Sequence, residues 1–314
     1  MTNYLLKRIL ALIPILLIVG IFVFFVIRVI PGDPAAMMLG PEATAEDIEA
    51  LSKTMGLDRS IPIQFVEWSS KVVKGDFGTS LFFQGQPVTK VIYEHFKPTL
   101  TLTFLGIVLA TFFGIISGVF AAVNHNSIWD RLIMVITSAG LAIPGFWLGL
   151  MLVFFFSIKF SILPPAGYKP LSAGFLESYK YLVLPAVTLA FAQTSLISRM
   201  TRSNMLEVLG TDYVRTARAK GVSEFIVNYK HALKNVLISV ITIIGLAFAH
   251  LMGGAVITES IFNIPGVGRL LIRSVMTRDY PVIEGIVLYF AVIWVILNLV
   301  VDVLYVIIDP RIKY

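Results

Sequence analysis

The sequence predicts an all-α integral membrane protein with six transmembrane helices and a small helical segment outside the membrane after the first helix. Three observations favour this class. Of 314 residues, 57% are hydrophobic and only 14% are charged, and the mean hydropathy of +0.86 exceeds that of soluble domains. Apolar stretches of about 20 residues, the length that crosses a bilayer, recur along the chain. Basic residues concentrate in one connection between two of them.

The apolar stretches predict the spans in order. The first follows Lys7 and Arg8, as the core of a signal peptide would. It is longer than a signal core of about 7–15 residues, however, and no small-residue cleavage site follows it, so we predict a retained span. The predicted spans are Ile9 to Val29, Leu100 to Val123, Leu132 to Ile158, Tyr181 to Ile197, Val236 to Thr258 and Val282 to Ile308.

The charges of the connections predict the orientation. Loops rich in Lys and Arg stay in the cytosol, and counting spans from the basic connection puts both termini there as well. The segment 31–98, in which acidic residues outnumber basic ones, then lies outside. The chain is thus divided into an N-terminal span (1–30), an extracytoplasmic helical segment (31–98) and a core with five spans (99–314). The basic connection, loop 199–235, carries Arg199, Arg202, Arg215, Arg218, Lys220, Lys230 and Lys234.

Local signals predict helices in the outer segment. Thr44 is a suitable N-cap for a helix through Leu51, because acidic residues follow in the first turn. A second helix is predicted from Ile63 to Val73, followed by a turn over Lys74 to Gly78. This segment either shields the ends of the spans or forms a docking surface for an extracytoplasmic partner, and the two roles are compatible.

The basic connection contains a short helix with a glycine stop. Asp212 is the predicted N-cap, Lys220 suits the negative end of the helix dipole, and Gly221 can adopt the left-handed conformation that ends a helix. After Gly221 the apolar residues again recur at helical spacing. The sequence therefore predicts two short helices, separated by a break, at the membrane surface. The second has an apolar face of Phe225, Tyr229, Ala232, Leu233 and Val236, and a polar face of Glu224, Asn228, His231 and Asn235.

Small and ionisable residues mark positions inside the spans. Two G-x-x-x-G pairs, Gly114 with Gly118 and Gly145 with Gly149, favour close packing of helices within this subunit. Pro144 and Pro185 predict kinks. Ionisable groups in spans are costly, so each is a functional candidate. For His250 we favour an interhelical hydrogen bond over a substrate contact, and for Glu259 a pathway or gate role; Glu284, Asn298 and Asp302 are further candidates.

No catalytic motif occurs in the sequence. It has no G-x-x-x-x-G-K-[ST] phosphate loop, no H-E-x-x-H and no G-x-S-x-G, its four histidines are scattered, and it has no cysteine. We predict neither enzymatic activity nor a metal site, and the basic balance reflects cytosolic loops rather than nucleic-acid binding. Such a membrane protein conducts passively, couples to an ion gradient, or takes energy from another subunit.

The basic helix and the residues after it resemble the EAA loop of binding-protein-dependent ABC importer permeases. Ala217 and Gly221 match the family pattern, whereas Arg215 and Thr216 replace its Glu and first Ala, and Lys234 stands where Pro is common. These departures are typical of the peptide and nickel branch. Further stretches that resemble this branch are Pro31 to Pro34, Gly75 to Gly78, Phe262 to Leu270, Arg278 to Ile283 and Asp309 to Arg311.

The resemblance implies a type I ABC importer permease fold and an assembly in the bacterial inner membrane. Its partners would be a second permease, two cytosolic ATPases that bind ATP and Mg²⁺, and an extracytoplasmic binding protein. Peptides are the expected substrates, with glutathione, nickel or a metal chelate as alternatives. A gradient-driven carrier or channel and a scaffold subunit are the rival classes; the former predicts an inverted repeat or unwound spans, which the sequence lacks.

The resemblance also implies roles for particular residues. The ATPase-coupling residues would be Tyr213, Arg215, Thr216, Ala217, Arg218, Ala219, Lys220, Gly221, Val222 and Ser223. Candidates for the pathway or its gate are His250, Glu259 and Arg269. Candidates for docking of the binding protein are Asp33, Asp76, Arg278 and Asp279.

Overall fold

The computed structural model describes residues 2–29, 34–40, 42–54, 56–83 and 85–308. It confirms the all-α class, since the elements among these residues are helices and their one β-type pairing is an isolated bridge between Thr79 and Pro87. The chain divides into two compact units. The first comprises Met1–Lys97 and Arg269–Val295, and the second comprises Pro98–Gly268 and Ile296–Tyr314.

The first unit begins with a long helix and three short ones. These are α1 (Thr2–Val29), α2 (Pro34–Leu39), α3 (Ala45–Thr54) and α4 (Ile61–Val73). The predicted cap at Thr44 is confirmed: the amide of Asp47 donates to Thr44 Oγ1 at 3.2 Å, and the amide of Thr44 donates to Asp47 Oδ2 at 3.3 Å. Helix α4 begins two residues earlier than predicted, because Pro62 fits the first turn of a helix.

Aromatic and aliphatic side chains form the core of the first unit. Val23 and Ile27 of α1 pack with Leu288 of α13 (Tyr280–Ile308). The rings of Phe24 and Trp68 lie 5.2 Å apart, which joins α4 to the same core. The predicted turn after α4 is present, with Gly75 and Gly78 at φ angles of 81° and 79° that favour glycine.

The second unit is built around one long helix, α8 (Phe175–Leu209). Around it lie α5 (Val88–Val123), α6 (Ile128–Ala142), α7 (Gly145–Leu152) and α11 (Leu233–Ile261). Gly114 and Gly118 of α5 face α8 closely: a Cβ on Gly118 would lie 2.5 Å from the Ser198 carbonyl oxygen. This pair therefore packs helices of the same chain, as predicted. Of the other pair, Gly149 is close to Thr188, whereas Gly145 has no such neighbour within 4 Å among the described residues.

Four helices in the described part of the chain are long and apolar enough to cross a membrane. They are Val88–Val123, Leu176–Leu209, Glu224–Ile261 and Tyr280–Val301, which contain the predicted second, fourth and fifth spans and most of the predicted sixth. The predicted first span lies in α1, whose apolar stretch Ile13–Val29 is shorter within the residues searched.

The predicted third span is broken rather than kinked. Helix α6 and the following segment Gly145–Lys159 meet at 104°, so they form either one broken span or a re-entrant loop. Ile143 is extended, with φ −75° and ψ 124°, because the ring of Pro144 disfavours helical backbone in the residue before it. Pro144 also has no N–H to continue the helix. Counted as one span, this pair raises the described total to five.

Candidate coupling site

The short basic helix of the sequence is present as α9 (Asp212–Ala219). Its N-cap is Thr211, which is extended (φ −77°, ψ 156°), so the prediction of Asp212 as the cap was wrong by one residue. Asp212 lies in the first helical turn instead, where a negative charge stabilises the helix dipole. Its carboxylate lies 3.2 Å from Arg215, but both side chains are largely exposed, and such ion pairs contribute little to stability.

Helix α9 ends in the left-handed turn predicted at Gly221. Gly221 has φ 75°, a conformation that is strained for residues with a Cβ. Its amide donates to the Arg218 carbonyl at 2.9 Å, and the amide of Val222 donates to the Ala217 carbonyl at 3.2 Å. This paired arrangement satisfies the last carbonyls of a helix and reverses the chain. Gly221 therefore fixes the direction in which the chain leaves α9.

Hydrogen bonds from two side chains, Tyr213 and Arg218, hold α9 against the segment that leads into α11. Val214 is fully buried. The Tyr213 hydroxyl accepts a hydrogen bond from Asn235 Nδ2 at 2.7 Å and donates one to the His231 carbonyl at 3.4 Å. The Arg218 guanidinium donates two hydrogen bonds to Glu224, at 2.8 and 3.2 Å. The outer face of α9 and its C-cap Lys220 remain exposed, and the exposed residues of α9 there include Arg215, Thr216 and Ala219.

The second short helix is not a separate element, so that prediction was wrong. Helix α10 (Glu224–Ile226) passes through a π-helical segment, Val227–Ala232, directly into α11. A π-helix has a wider turn and rotates the residues after it relative to an α-helical register. Within this segment Asn228 of the predicted polar face is buried and Tyr229 of the predicted apolar face is exposed, with its ring centroid 4.8 Å from that of exposed Phe225. Ala232 and Val236 are buried, as predicted for the apolar face.

Comparison with known proteins identifies the family. The description "Binding-protein-dependent transport system inner membrane component" matches residues 114–314. The corresponding N-terminal description, for the membrane component of binding-protein-dependent transport systems, matches residues 1–103. The chain belongs to this family. It is a multi-pass inner-membrane permease of a peptide-type ABC importer, and membership implies, in general, further membrane subunits, ATPases and a binding protein.

Two relatives are similar to this permease over 99% or more of its length. It is 45% identical over 314 residues to the glutathione transport system permease protein GsiC of Escherichia coli (strain K12), covering 100% of both chains. It is 40% identical over 311 residues to the probable peptide ABC transporter permease protein y4tP of Sinorhizobium fredii, covering 99% of each. An inward-facing structure of the MetNI methionine ABC transporter superposes with a TM-score of 0.58 at 16% identity, covering 70% of the permease and 97% of that chain. This last likeness supports the type I importer fold.

Glu259 of the permease is an internal anchor. It is fully buried, and Thr99 Oγ1 donates to its carboxylate at 2.6 Å. The same hydroxyl accepts from the amide of Val267 at 2.8 Å, at the start of α12 (Val267–Met276). A Cβ on Gly266 would collide with the Glu259 carboxylate. Glu259 and Thr99 thus shape the loop Phe262–Gly268, and the pathway or gate role of Glu259 stays a prediction.

The other pathway candidates are exposed. The ring of His250 lies on the surface of α11, and within the described part of the chain no interhelical hydrogen bond holds it, so our preferred interpretation of His250 was wrong. Its helical position turns it away from the core formed by Leu251 and Ala255. Arg269 is also exposed, at the start of α12. A role in the pathway stays a prediction for both.

The docking candidates divide by burial. Asp279 is fully buried, which contradicts a docking role: its carboxylate accepts hydrogen bonds from the Ser80 hydroxyl and from the amides of Leu81 and Phe82, the latter two at 3.1 Å. Asp279 instead fixes the loop before α5. Asp76 is exposed, and Arg278 is half-buried with φ 52°. Docking stays a prediction for these two, and Asp33 lies outside the described residues.

Two ion pairs escaped prediction from the sequence. Asp130, 3% exposed, accepts from Arg202 Nε at 2.6 Å and Nη2 at 2.8 Å, which joins the start of α6 to α8. Arg28 Nη1 donates to Glu284 Oε1 at 3.0 Å within the first unit. In the sequence, a charged residue beside the end of a span indicated that an ion pair could form, but the partner residue could not be identified without the fold.

Among the described residues, no group of three or more His, Asp or Glu side chains could hold a metal ion.

Proposed function

We propose that this permease forms half of the translocation pore of an ATP-driven importer for di- or oligopeptides, together with a second, related permease. Two cytosolic ATPases would supply the energy, and an extracytoplasmic binding protein would deliver the substrate. The named relatives support an importer of the peptide type, and the missing phosphate loop requires that ATP be hydrolysed by other subunits.

The observation that carries the proposal is the geometry of α9. The helix is held on one side by buried Val214 and by the bonds of Tyr213 and Arg218, while its opposite face is exposed. A partner that moves this face would therefore move α11 through the bond to Asn235, and would move α10, which runs into α11, through the bonds to Glu224. It would also pull on α8, which ends only three residues before α9 begins. Rigid-body movement of two long helices can open or close a pore.

The substrate is a peptide in our first choice and glutathione in our second. The relative with 45% identity is named a glutathione permease, and the one with 40% identity is named a probable peptide permease. Glutathione is itself a small peptide derivative, so one pore could suit both. Uptake of labelled dipeptide, glutathione and Ni²⁺ by cells that express the complete system would separate these substrates and the nickel alternative.

The proposal includes an orientation with both termini and α9 in the cytosol. Because the chain has no cysteine, single-cysteine variants can test it without background. Ser223→Cys beside α9 should react with a membrane-impermeant thiol reagent only after the membrane is opened, whereas Ser70→Cys in α4, also exposed, should react in intact spheroplasts. The reverse pattern would overturn the orientation.

Purification tests the proposed function against its rivals. The permease, extracted mildly from its native membrane, should bring with it two ATPases that carry phosphate loops, and uptake in cells should stop when ATP is depleted. A gradient-driven carrier would purify without ATPases, and its uptake would stop with an ionophore while ATP remained. A scaffold subunit would bind partners, but its deletion would leave uptake intact.

A further inference from the structure

Two long helices of the second unit, α5 and α11, expose faces of different chemistry. On α5, the exposed side chains that recur every four residues are large and apolar. They are Phe104, Val108, Phe112, Ile116 and Phe120, each 42–59% exposed. Lipid chains are about as apolar as Leu, so this face of α5 suits contact with the bilayer and shows what a lipid-facing surface of this chain looks like.

The exposed face of α11 is mainly polar or small. It includes exposed Ser239, His250, Gly253 and Ser260, with half-buried Thr242 between the first two. Their spacing places them on one side of an α-helix. From Ser239 to Ser260 the face is about 30 Å long, because an α-helix rises about 1.5 Å per residue. It therefore extends across the thickness of a hydrocarbon core.

His250 lies near the middle of this face. Its ring has no hydrogen-bond partner among the described residues, and ionisable groups that face lipid are costly. One helical turn further, a Cβ on Gly253 would meet nothing within 4 Å in the described part of the chain, so the face borders open space. Water or a polar solute in that space can satisfy the ring nitrogens of His250.

A water-filled space explains this face better than a close contact with the second permease. Packing against another helix would enclose the ring of His250 and the hydroxyls of Ser239 and Thr242, and each group would then need a hydrogen-bond partner of matching geometry. Water satisfies all of them together. The large apolar members of the face, Leu246 and Ile257, are separated by polar and small residues and form no continuous apolar surface.

We propose that this face of α11 forms part of the wall of the translocation pathway, and that a hydrophilic solute passes along it through water. Its hydroxyl groups and the imidazole of His250 offer hydrogen bonds, and the face from Ser239 to Ser260 carries no Asp, Glu, Lys or Arg at its exposed positions. Such a wall favours polar solutes without selecting a fixed charge. The assignment rests on the proposed function, in which the permease forms half of the pore.

Cysteine labelling of the complete importer in proteoliposomes tests this assignment, since the cysteine-free chain contributes no background. A charged thiol reagent, supplied on both sides of the membrane, should label Thr242→Cys and Gly253→Cys. The controls on the exposed face of α5, Val108→Cys and Phe112→Cys, should react at least about tenfold more slowly, because apolar surroundings disfavour the reactive thiolate. Ala247→Cys, on the buried side of α11, should not react. Equal rates on the two exposed faces would overturn the assignment.

A bulky substitution separates a pathway wall from a contact with the second permease. Gly253→Trp places a large ring in the open space, so most peptide uptake should be lost while the second permease still copurifies with this chain. The matched control, Phe112→Trp on α5, should retain both uptake and assembly. Loss of assembly in Gly253→Trp would show that the face packs against another subunit, and normal uptake would show that nothing passes along it; either result would refute the assignment.

The outcome separates this assignment from the proposed function, since the labelling needs neither ATP nor transport. The expected labelling in a system whose uptake continues after ATP is depleted would refute the proposed function alone. ATP-driven peptide uptake by an importer whose α11 cysteines are as unreactive as those of α5 would refute only the pathway assignment.

Discussion

Replacement of Gly221 is the perturbation whose effect the structure defines best. At φ 75° a Cβ on this residue meets nothing within 4 Å among the described residues. Packing is therefore not the cost of a substitution. The cost is the left-handed backbone itself, about 1–2 kcal/mol for an ordinary L-residue and more for a β-branched one. Such an energy changes the ratio of the native turn to other conformations by roughly 5–30-fold.

A graded series follows from this estimate. Gly221→Asn should be nearly normal, because Asn tolerates the left-handed region; Gly221→Ala should be intermediate and Gly221→Val the most impaired. The matched control is Gly210→Ala. Gly210 has an ordinary helical φ of −82°, and its Cβ would lie in normal contact, 3.4 Å from the Glu207 carbonyl oxygen.

The assay is peptide uptake per ATP hydrolysed in proteoliposomes that contain the complete importer. Gly221→Val should insert normally, because the turn is exposed, yet its uptake per ATP should fall several-fold. The role assigned to this turn would be refuted if Gly221→Val transported as much peptide per ATP as the wild type. It would also be refuted if the loss of uptake per ATP did not increase from Asn to Ala to Val.

Three further predictions concern stability, measured as thermal unfolding of the purified chain. Thr99→Val removes the hydroxyl that bonds both Glu259 and the Val267 amide and should cost about 3 kcal/mol, whereas Thr99→Ser should cost about 1 kcal/mol; equal losses would contradict the bridging role. Gly118→Ala should destabilise by about 1–3 kcal/mol through its contact with Ser198, while Gly145→Ala, which has open space, should be close to neutral. Asp130→Asn should cost about 3 kcal/mol because it leaves Arg202 without its charge partner, and additional replacement of Arg202 by Gln should restore part of the loss. A double variant as unstable as the sum of the two single variants would argue against that pairing.

Features set by neighbouring residues were predictable from the sequence. The cap at Thr44 needs only Asp47, three residues later. The turn at Gly221 needs only a residue that tolerates positive φ after a short helix. Apolar length alone located the helices that contain the second, fourth, fifth and sixth spans, and the spacing of Gly114 and Gly118 indicated a close helix contact.

Features set by distant partners were not predictable in the same way. Asp279 and Ser80 are 199 residues apart, and Glu259 and Thr99 are 160 apart. Without the fold, each carboxylate was a plausible surface or gate group, whereas long-range hydrogen bonds make both internal anchors.

Local helix geometry was a second limit. The π-helical segment Val227–Ala232 departs from the α-helical period, so Asn228 is buried and Tyr229 is exposed, contrary to the predicted faces. Similarly, Pro144 was expected to kink a span. Instead, Ile143 adopts an extended backbone conformation, and the helix is interrupted there. The first departure needs only a small change in φ and ψ, whereas the second moves ψ of Ile143 from the helical region to 124°.

Cross-linking at α9 tests the central claim most directly. Ala219 is exposed on the outer face of α9, and Ala219→Cys in this cysteine-free chain should cross-link to an ATPase subunit in the assembled importer. The cross-link should stop ATP-driven peptide uptake, and reduction should restore it. A cross-link to no ATPase, or uptake that continues unchanged while α9 is cross-linked, would contradict the claim that energy enters the permease through this helix.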